Sequence, residues 1–320
     1  MNTYDDMKDC FYFTDYLARE VLPDKALVRS LVTKMFWDDR IDVRVHADSG
    51  LGVASTKPGV GPADCPLLML TQGFVFDAHT YQFISLPHFT TFKHDDGSPS
   101  HVEFGRRLTS LDEETFTVDV TPLYPGKSIH LFPWAGKLYL STLESICELS
   151  SETDTACPVL RQASDLLLRA NPCLEGLKHW IGDQDGSSWN VSYTFTLVTS
   201  GSSPLRLICS STTLIGRSKD ILGRVLRIPN NEAYPQLGIY GVKFAQETGI
   251  CVSKSAPVVL SVEGFLGGDF VQDLCILSPT AQAAGATKLL VSSSFLDEGD
   301  TFGTIVHQYL IDLLPTEEPT

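Results

Sequence analysis

Residues 115–146 read TFTVDVTPLYPGKSIHLFPWAGKLYLSTLESI, and this stretch decides the fold. Phe116, Val118 and Val120 fall on one side of an alternating run, which predicts a strand with one face in the core. The run meets Leu123-Tyr124-Pro125-Gly126, a proline and glycine pair that ends a strand and turns the chain. Ile129 and Leu131 mark a second strand, Pro133-Trp134-Ala135-Gly136 a short turn, and a third strand ends in Ser141-Thr142. Connections this short suit antiparallel neighbours.

Working outward, the chain reads as short strands with a few helical segments, an α+β pattern with antiparallel sheets flanked by a few helices. Thr14 or Asp15 can cap a first helix that stops before Pro23. Asp24 can cap a second, whose apolar face holds Leu27, Val28, Leu31, Val32 and Met35. Ile41, Val43 and Val45 alternate as a strand, and residues 47–64, rich in Gly, Pro, Ser and Ala, read as the longest loop. Leu160, Ala163 and Leu167 predict a helix from Val159 to Ala170. Ile305, Tyr309 and Leu313 predict a closing helix over about 302–314 before the polar tail PTEEPT. The expected organisation is residues 1–66 as N-terminal helices and lead-in strand, 67–300 as the core, and 301–320 as C-terminal helix and tail.

Composition restricts function. The 320 residues are 43% hydrophobic and 20% charged, enough to bury a core. With 24 basic against 39 acidic residues the net charge is −15, which disfavours long-range steering of RNA. The densest basic strip, Arg217, Lys219, Arg224 and Arg227, reads first as a solvated hairpin edge. The start MNTYDDMKDC lacks an apolar h-region and an Arg-rich amphipathic stretch. No run approaches a membrane span, so an intracellular protein, cytoplasmic or nuclear, is expected. Eight scattered cysteines without a CxxC pair read as reduced thiols. The eight histidines show no ligand spacing, so no metal site is expected.

The opening stretch resembles the nucleotide-binding core of the bacteriophage RNA ligase 1 family of covalent nucleotidyltransferases. In that family the turn reads Lys-x-Asp-Gly and the lysine takes AMP from ATP. Here Leu123 stands at the lysine position and Pro125 at the aspartate, while Gly126 is retained. Gln72-Gly73-Phe74-Val75-Phe76-Asp77, Phe83 to Pro87 and Phe92 resemble the family's preceding elements. Tyr193-Thr194-Phe195-Thr196-Leu197 resembles motif III, and Leu205-Arg206-Leu207-Ile208 the strand after it. Leu237 to Gly249 resembles the next strand and its turn, and Glu263-Gly264-Phe265 resembles motif IV. Leu274-Cys275-Ile276-Leu277-Ser278-Pro279 lies where motif V carries two lysines. The ordered set covers roughly residues 70–280 and implies the nucleotidyltransferase, or adenylation-domain, fold.

The departures cluster at charged positions. The resemblance places Gln72 at an arginine, Thr196 at the motif III glutamate, and Cys275 and Leu277 at the motif V lysines. Losing one positioned electrostatic group typically slows catalysis about 100- to 1,000-fold. Losing the nucleophile removes the covalent route altogether. Leucine cannot attack a phosphate.

Three functions remain open at this point. One is a non-catalytic interaction or scaffold subunit with protein partners, in RNA processing or repair. Another is a nucleotide or RNA-end binding module with a residual pocket of Gly126, Lys127, Arg206, Glu263 and Gly264, which would take ATP and Mg2+. In that set Glu263 and Arg206 have a bland alternative, a structural ion pair or exposure to water. The third is an active ATP-dependent ligase using a displaced lysine, Lys93 or Lys127. Lys93 opens Lys-His-Asp-Asp-Gly-Ser, which reads first as a polar turn. Asp183-Gln184-Asp185-Gly186-Ser187 has a fragment of a calcium loop but lacks its later ligands, so it too reads as a turn. His130, near Lys127 in sequence, reads as an ordinary strand histidine, exposed or hydrogen-bonded, before it reads as half of an acid–base pair.

Overall fold

A computed structural model of the chain describes residues 24–60, 73–85, 92–93, 114–150, 157–171, 177, 189–198, 205–216, 225–229, 248–275, 278–295 and 304–313. The expected helix before Pro23, the calcium-loop fragment and the turn at 94–98 lie outside them.

The chain enters on helix α1, Lys25–Trp37, where the Asp24 carboxylate caps the backbone N–H groups of Ala26 and Leu27. Val28, Leu31, Val32 and Met35 bury the predicted stripe. Strands β1 (Ile41–His46), β2 (Leu51–Thr56), β3 (Phe74–Asp77) and β4 (Phe83–Ser85) then form an antiparallel sheet in chain order.

The second strand corrects the sequence reading, which had residues 47–64 as a loop. It lies between two neighbours with residues Leu51 to Ser55 all buried, so no alternation betrays it. Its Gly52 faces the ring of Phe76 across the ladder, and a Cβ there would overlap that ring. Composition that suggested a loop instead reflects a strand packed on both faces.

Strand β5 is short, Phe92–Lys93. The deciding stretch follows as β6 (Thr115–Leu123), β7 (Gly126–Trp134), β8 (Lys137–Ser141) and β9 (Ile146–Glu148). Ala135 and Gly136, both at positive φ, close the two-residue hairpin between β7 and β8. Helix α2, Pro158–Ala170, has the predicted buried stripe of Leu160, Ala163 and Leu167. The chain continues through β10 (Trp189–Val198), β11 (Arg206–Gly216), β12 (Val225–Pro229), β13 (Cys251–Val252) and β14 (Ala256–Ser261). Three short helices follow, α3 (Val262–Gly267), α4 (Phe270–Cys275) and α5 (Ser278–Ala283), then β15 (Lys288–Phe295) and β16 (Thr304–Asp312).

The last of these is the second correction, because the expected closing helix is a strand paired along its length with β15. Positions 305, 309 and 313 are four apart, and a spacing of four satisfies both a helical stripe and a two-residue alternation. The β-branched and aromatic content of Ile305, Val306, Tyr309 and Ile311 favours the strand.

Two larger sheets result. One has the order β12-β11-β10-β7-β8-β9, with β13 beside β11; the other runs β14-β6-β15-β16-β5. The architecture is α+β, with mainly antiparallel sheets and few helices. A first core joins α1, the four-stranded sheet and the five-stranded sheet through Phe74, Phe76, Phe116 and Phe265. A second lies between α2 and the seven-stranded sheet around Tyr193, Phe195 and Leu197. A third joins the seven-stranded and four-stranded sheets through Phe132, Tyr139, Val53 and Val75. Each such large side chain contributes roughly 1.5–3 kcal/mol by leaving water.

Candidate functional site

The Leu123–Gly126 turn is a crossover between sheets. β6 pairs with β14 and β15 in the five-stranded sheet, whereas β7 pairs with β10 and β8 in the seven-stranded one. Tyr124 and Pro125 carry the chain from one sheet to the other. The incoming end is tied down: the Thr287 N–H donates to the Leu123 carbonyl at 2.9 Å, and Leu123 stands opposite Lys288. The Ser253 hydroxyl donates to the Pro122 carbonyl at 2.5 Å, and the Thr121 and Ser255 hydroxyls are 2.6 Å apart. The position the resemblance assigns to a nucleophile is therefore an apolar side chain on a well-held strand end.

Gly126 has a structural reason to be glycine. It pairs with Val198 on β10, and a Cβ there would overlap the Leu197 carbonyl oxygen. Thr196, at the motif III position, has its Cγ2 beside Gly126, and Arg206 faces Val198 from the other side of β10. Gly126, Thr196 and Arg206 thus share one face of the seven-stranded sheet. The Arg206 guanidinium lies 5.8 Å from the centre of the Tyr124 ring.

The rest of the residual set does not converge there. Lys127 pairs with Leu197, so alternation places it on the opposite face, with Ile129 and the α2 core. Glu263 and Gly264 lie on α3, beyond Ser261, which pairs with Thr115 at the far end of β6. Eight residues of strand separate Thr115 from Leu123, roughly 26 Å at the usual rise. There Glu263 borders an open cleft of about 920 Å3 with Glu114 and Leu266. The ion pair between Glu263 and Arg206 is therefore not formed. Gly264 also has a local reason to persist: its N–H donates to the capping Ser261 hydroxyl at 3.0 Å, and a Cβ would stand 2.7 Å from that oxygen.

The motif V stretch lies partly on a helix. Leu274 and Cys275 belong to the short helix α4, and Leu277 lies outside the described residues. The strand beside β6 is β15, which brings Lys288 opposite Leu123. Its ammonium is 3.3 Å from the Asp312 carboxylate. Lys254 sits between Ser253 and Ser255, the two residues that hold the end of β6. Sequence reasoning passed over both lysines, and neither carries a local signal beyond its charge. Of the displaced-lysine candidates, Lys93 lies on β5, three strands from β6, roughly 14 Å away by strand spacing. Of the basic strip, Arg227 lies on β12, while Arg217, Lys219 and Arg224 lie outside the described residues.

His130 points away from Lys127 and is buried. Its Nε2 lies 2.5 Å from the Ser85 hydroxyl and its Nδ1 3.3 Å from that of Thr194. The ring stacks on Phe132 and links the seven-stranded sheet to the four-stranded one. Cys147 is no better as a nucleophile, since burial, with Cys157 nearby, pushes its thiol up to about 12.

Among the described residues around Leu123, no carboxylates are grouped to hold a metal ion. Asp312 is held by Lys288, and Asp119 is buried four positions back along β6. Among the described residues no group of three or more His, Cys, Asp or Glu side chains converges as a metal site. No described helix is long and apolar enough to cross a membrane.

No family model matches the chain, and no curated protein matches it. Solved structures do. The chain is similar to form 1 of an archaeal ATP-dependent RNA ligase at 12% identity and a TM-score of 0.44, over 88% of this chain and 60% of that one. It is similar to form 2 at 12% identity and a TM-score of 0.44, over 89% of this chain and 64% of that one. The chain thus spans under two thirds of the length of either ligase.

Proposed function

We propose that this chain is an RNA-ligase-like protein of the nucleotidyltransferase fold, derived from the phage RNA ligase 1 type, that no longer forms a nucleotidyl adduct. It acts as a non-catalytic interaction or scaffold subunit inside the cell, in RNA processing or repair. The observation that carries this reading is Leu123, an apolar side chain at the sheet crossover, with the retained family residues dispersed. Covalent nucleotidyl transfer needs a nucleophile and cations converging on one phosphate. Here Lys127 lies on the wrong face and Glu263 at the wrong end of the sheet.

A second reading is favoured by one feature beside the same turn. The Arg206 guanidinium lies over the Tyr124 ring, and Lys288 stands opposite Leu123. Two cations beside this turn in a chain of net charge −15 would suit a nucleotide or an RNA-end phosphate.

Incubation with α-labelled ATP and magnesium, read on a denaturing gel, tests the first reading. The expected result is an unlabelled protein beside a labelled ligase control. A labelled, acid-labile band lost in Lys93→Ala or Lys127→Ala returns the chain to the ligases. Thermal unfolding with millimolar Mg-ATP separates the second reading, which requires a stabilising shift that Arg206→Ala weakens.

A further inference from the structure

Among the described strands β14 lies at a sheet edge, and the side it turns away from β6 matches a second copy of itself. It pairs only with β6 among the described strands, and Val259 is 66% exposed. The Val262 N–H donates to the Glu114 carbonyl at 2.9 Å, which sets the phase of the ladder. Ala256, Val258 and Leu260, of the same parity, turn their backbone groups towards β6, and Pro257, Val259 and Ser261 turn theirs outward. Those outward groups are unequal. Pro257 has no N–H to donate. Ser261, the N-cap of α3, already gives its carbonyl to the first turn of the helix.

We propose that β14 pairs antiparallel with β14 of a second copy of this chain, on a two-fold axis at Val259. That register places Ser261 opposite the partner's Pro257. The donor that proline lacks then falls opposite the acceptor that the helix already uses, so nothing at the edge is left unsatisfied. Four backbone bonds form: two between the Val259 residues, and one at each end from a Ser261 N–H to a Pro257 carbonyl. The exposed Val259 side chains meet across the axis as a β-branched pair. The isologous contact is closed, which protects an otherwise open edge from indefinite addition. This inference stands independently of the proposed function.

Sedimentation over a range of protein concentrations, combined with amide exchange over residues 256–261, tests it. The expected result is a monomer–dimer equilibrium, with the Val259 and Ser261 amides exchanging more slowly as the dimer fills. Val259→Pro removes an outward N–H that the described fold does not use and is expected to give a monomer whose unfolding midpoint matches that of the native chain at concentrations where the native chain is also monomeric. Val259→Lys places two like charges across the axis and is expected to do the same, so the test survives if the proline variant folds poorly. A wild-type chain that stays monomeric at its highest attainable concentration overturns the proposal and leaves the edge to a strand of another protein. A dimer that persists in Val259→Lys overturns it as well.

Discussion

Gly126 shows how a residue that looks like the remnant of a catalytic motif can be kept by packing alone. A methyl group at that position would overlap the Leu197 carbonyl, and neither strand can withdraw without breaking its ladder. Gly126→Ala is expected to destabilise the protein by about 1–3 kcal/mol, the usual range for overpacking, read as a lower midpoint in urea. His46 offers a test of a different kind. Burial, and then the neighbouring Arg44 charge, hold its folded-state pKa below the ordinary 6.5. The unfolded chain therefore takes up the proton first as pH falls. The stability tied to a neutral His46 is whole above 6.5 and is lost as pH drops from there through the lower folded value. His46→Gln is expected to flatten the fall of unfolding free energy between about pH 7 and pH 5 relative to the native chain.

At the scale of the element, α1 was legible because one face is apolar and its cap is local. Asp24 bonds the N–H groups of Ala26 and Leu27, and Val28, Leu31, Val32 and Met35 repeat at helical spacing. Asp24→Ala is expected to cost about 1 kcal/mol of stability, checked by thermal or denaturant unfolding. The elements misread lacked such a one-sided signal. β2 is buried on both faces, so its small residues looked like a loop. β16 has apolar residues four apart, a spacing common to both periods, and only pairing with β15 decides between them. The short apolar run around Leu274 is ambiguous in a related way: it fits a helix turn or a strand equally, and Leu274 and Cys275 lie in the helix α4.

On the scale of the whole molecule, the sheets are joined by more than apolar packing. His130 reaches across from the seven-stranded sheet to Ser85 on the four-stranded one and turns its other nitrogen to Thr194. All three are buried, so each hydroxyl depends on the ring for its partner at that contact. His130→Leu keeps an apolar bulk but strands the Ser85 hydroxyl, and is expected to lose about 1–3 kcal/mol in denaturant unfolding. Adding Ser85→Ala in the same chain should recover part of that loss, because both ends of the broken bond are then apolar. A double-mutant cycle measures the coupling.

Local patterns in the chain determined the α+β class, the Asp24-capped helix α1, the strand at Phe116 to Val120 and the absence of a nucleophile at Leu123. These depend on side-chain chemistry and short-range periodicity, which one segment carries by itself. Only the tertiary structure decided that the Leu123–Gly126 turn crosses between sheets and that Lys127 and Arg206 leave opposite faces. It alone placed Lys288 beside Leu123 and Glu263 at the far end of β6. Those facts follow from strand order and register, which are set by hydrogen bonds between segments distant in sequence and so leave no trace in any one of them.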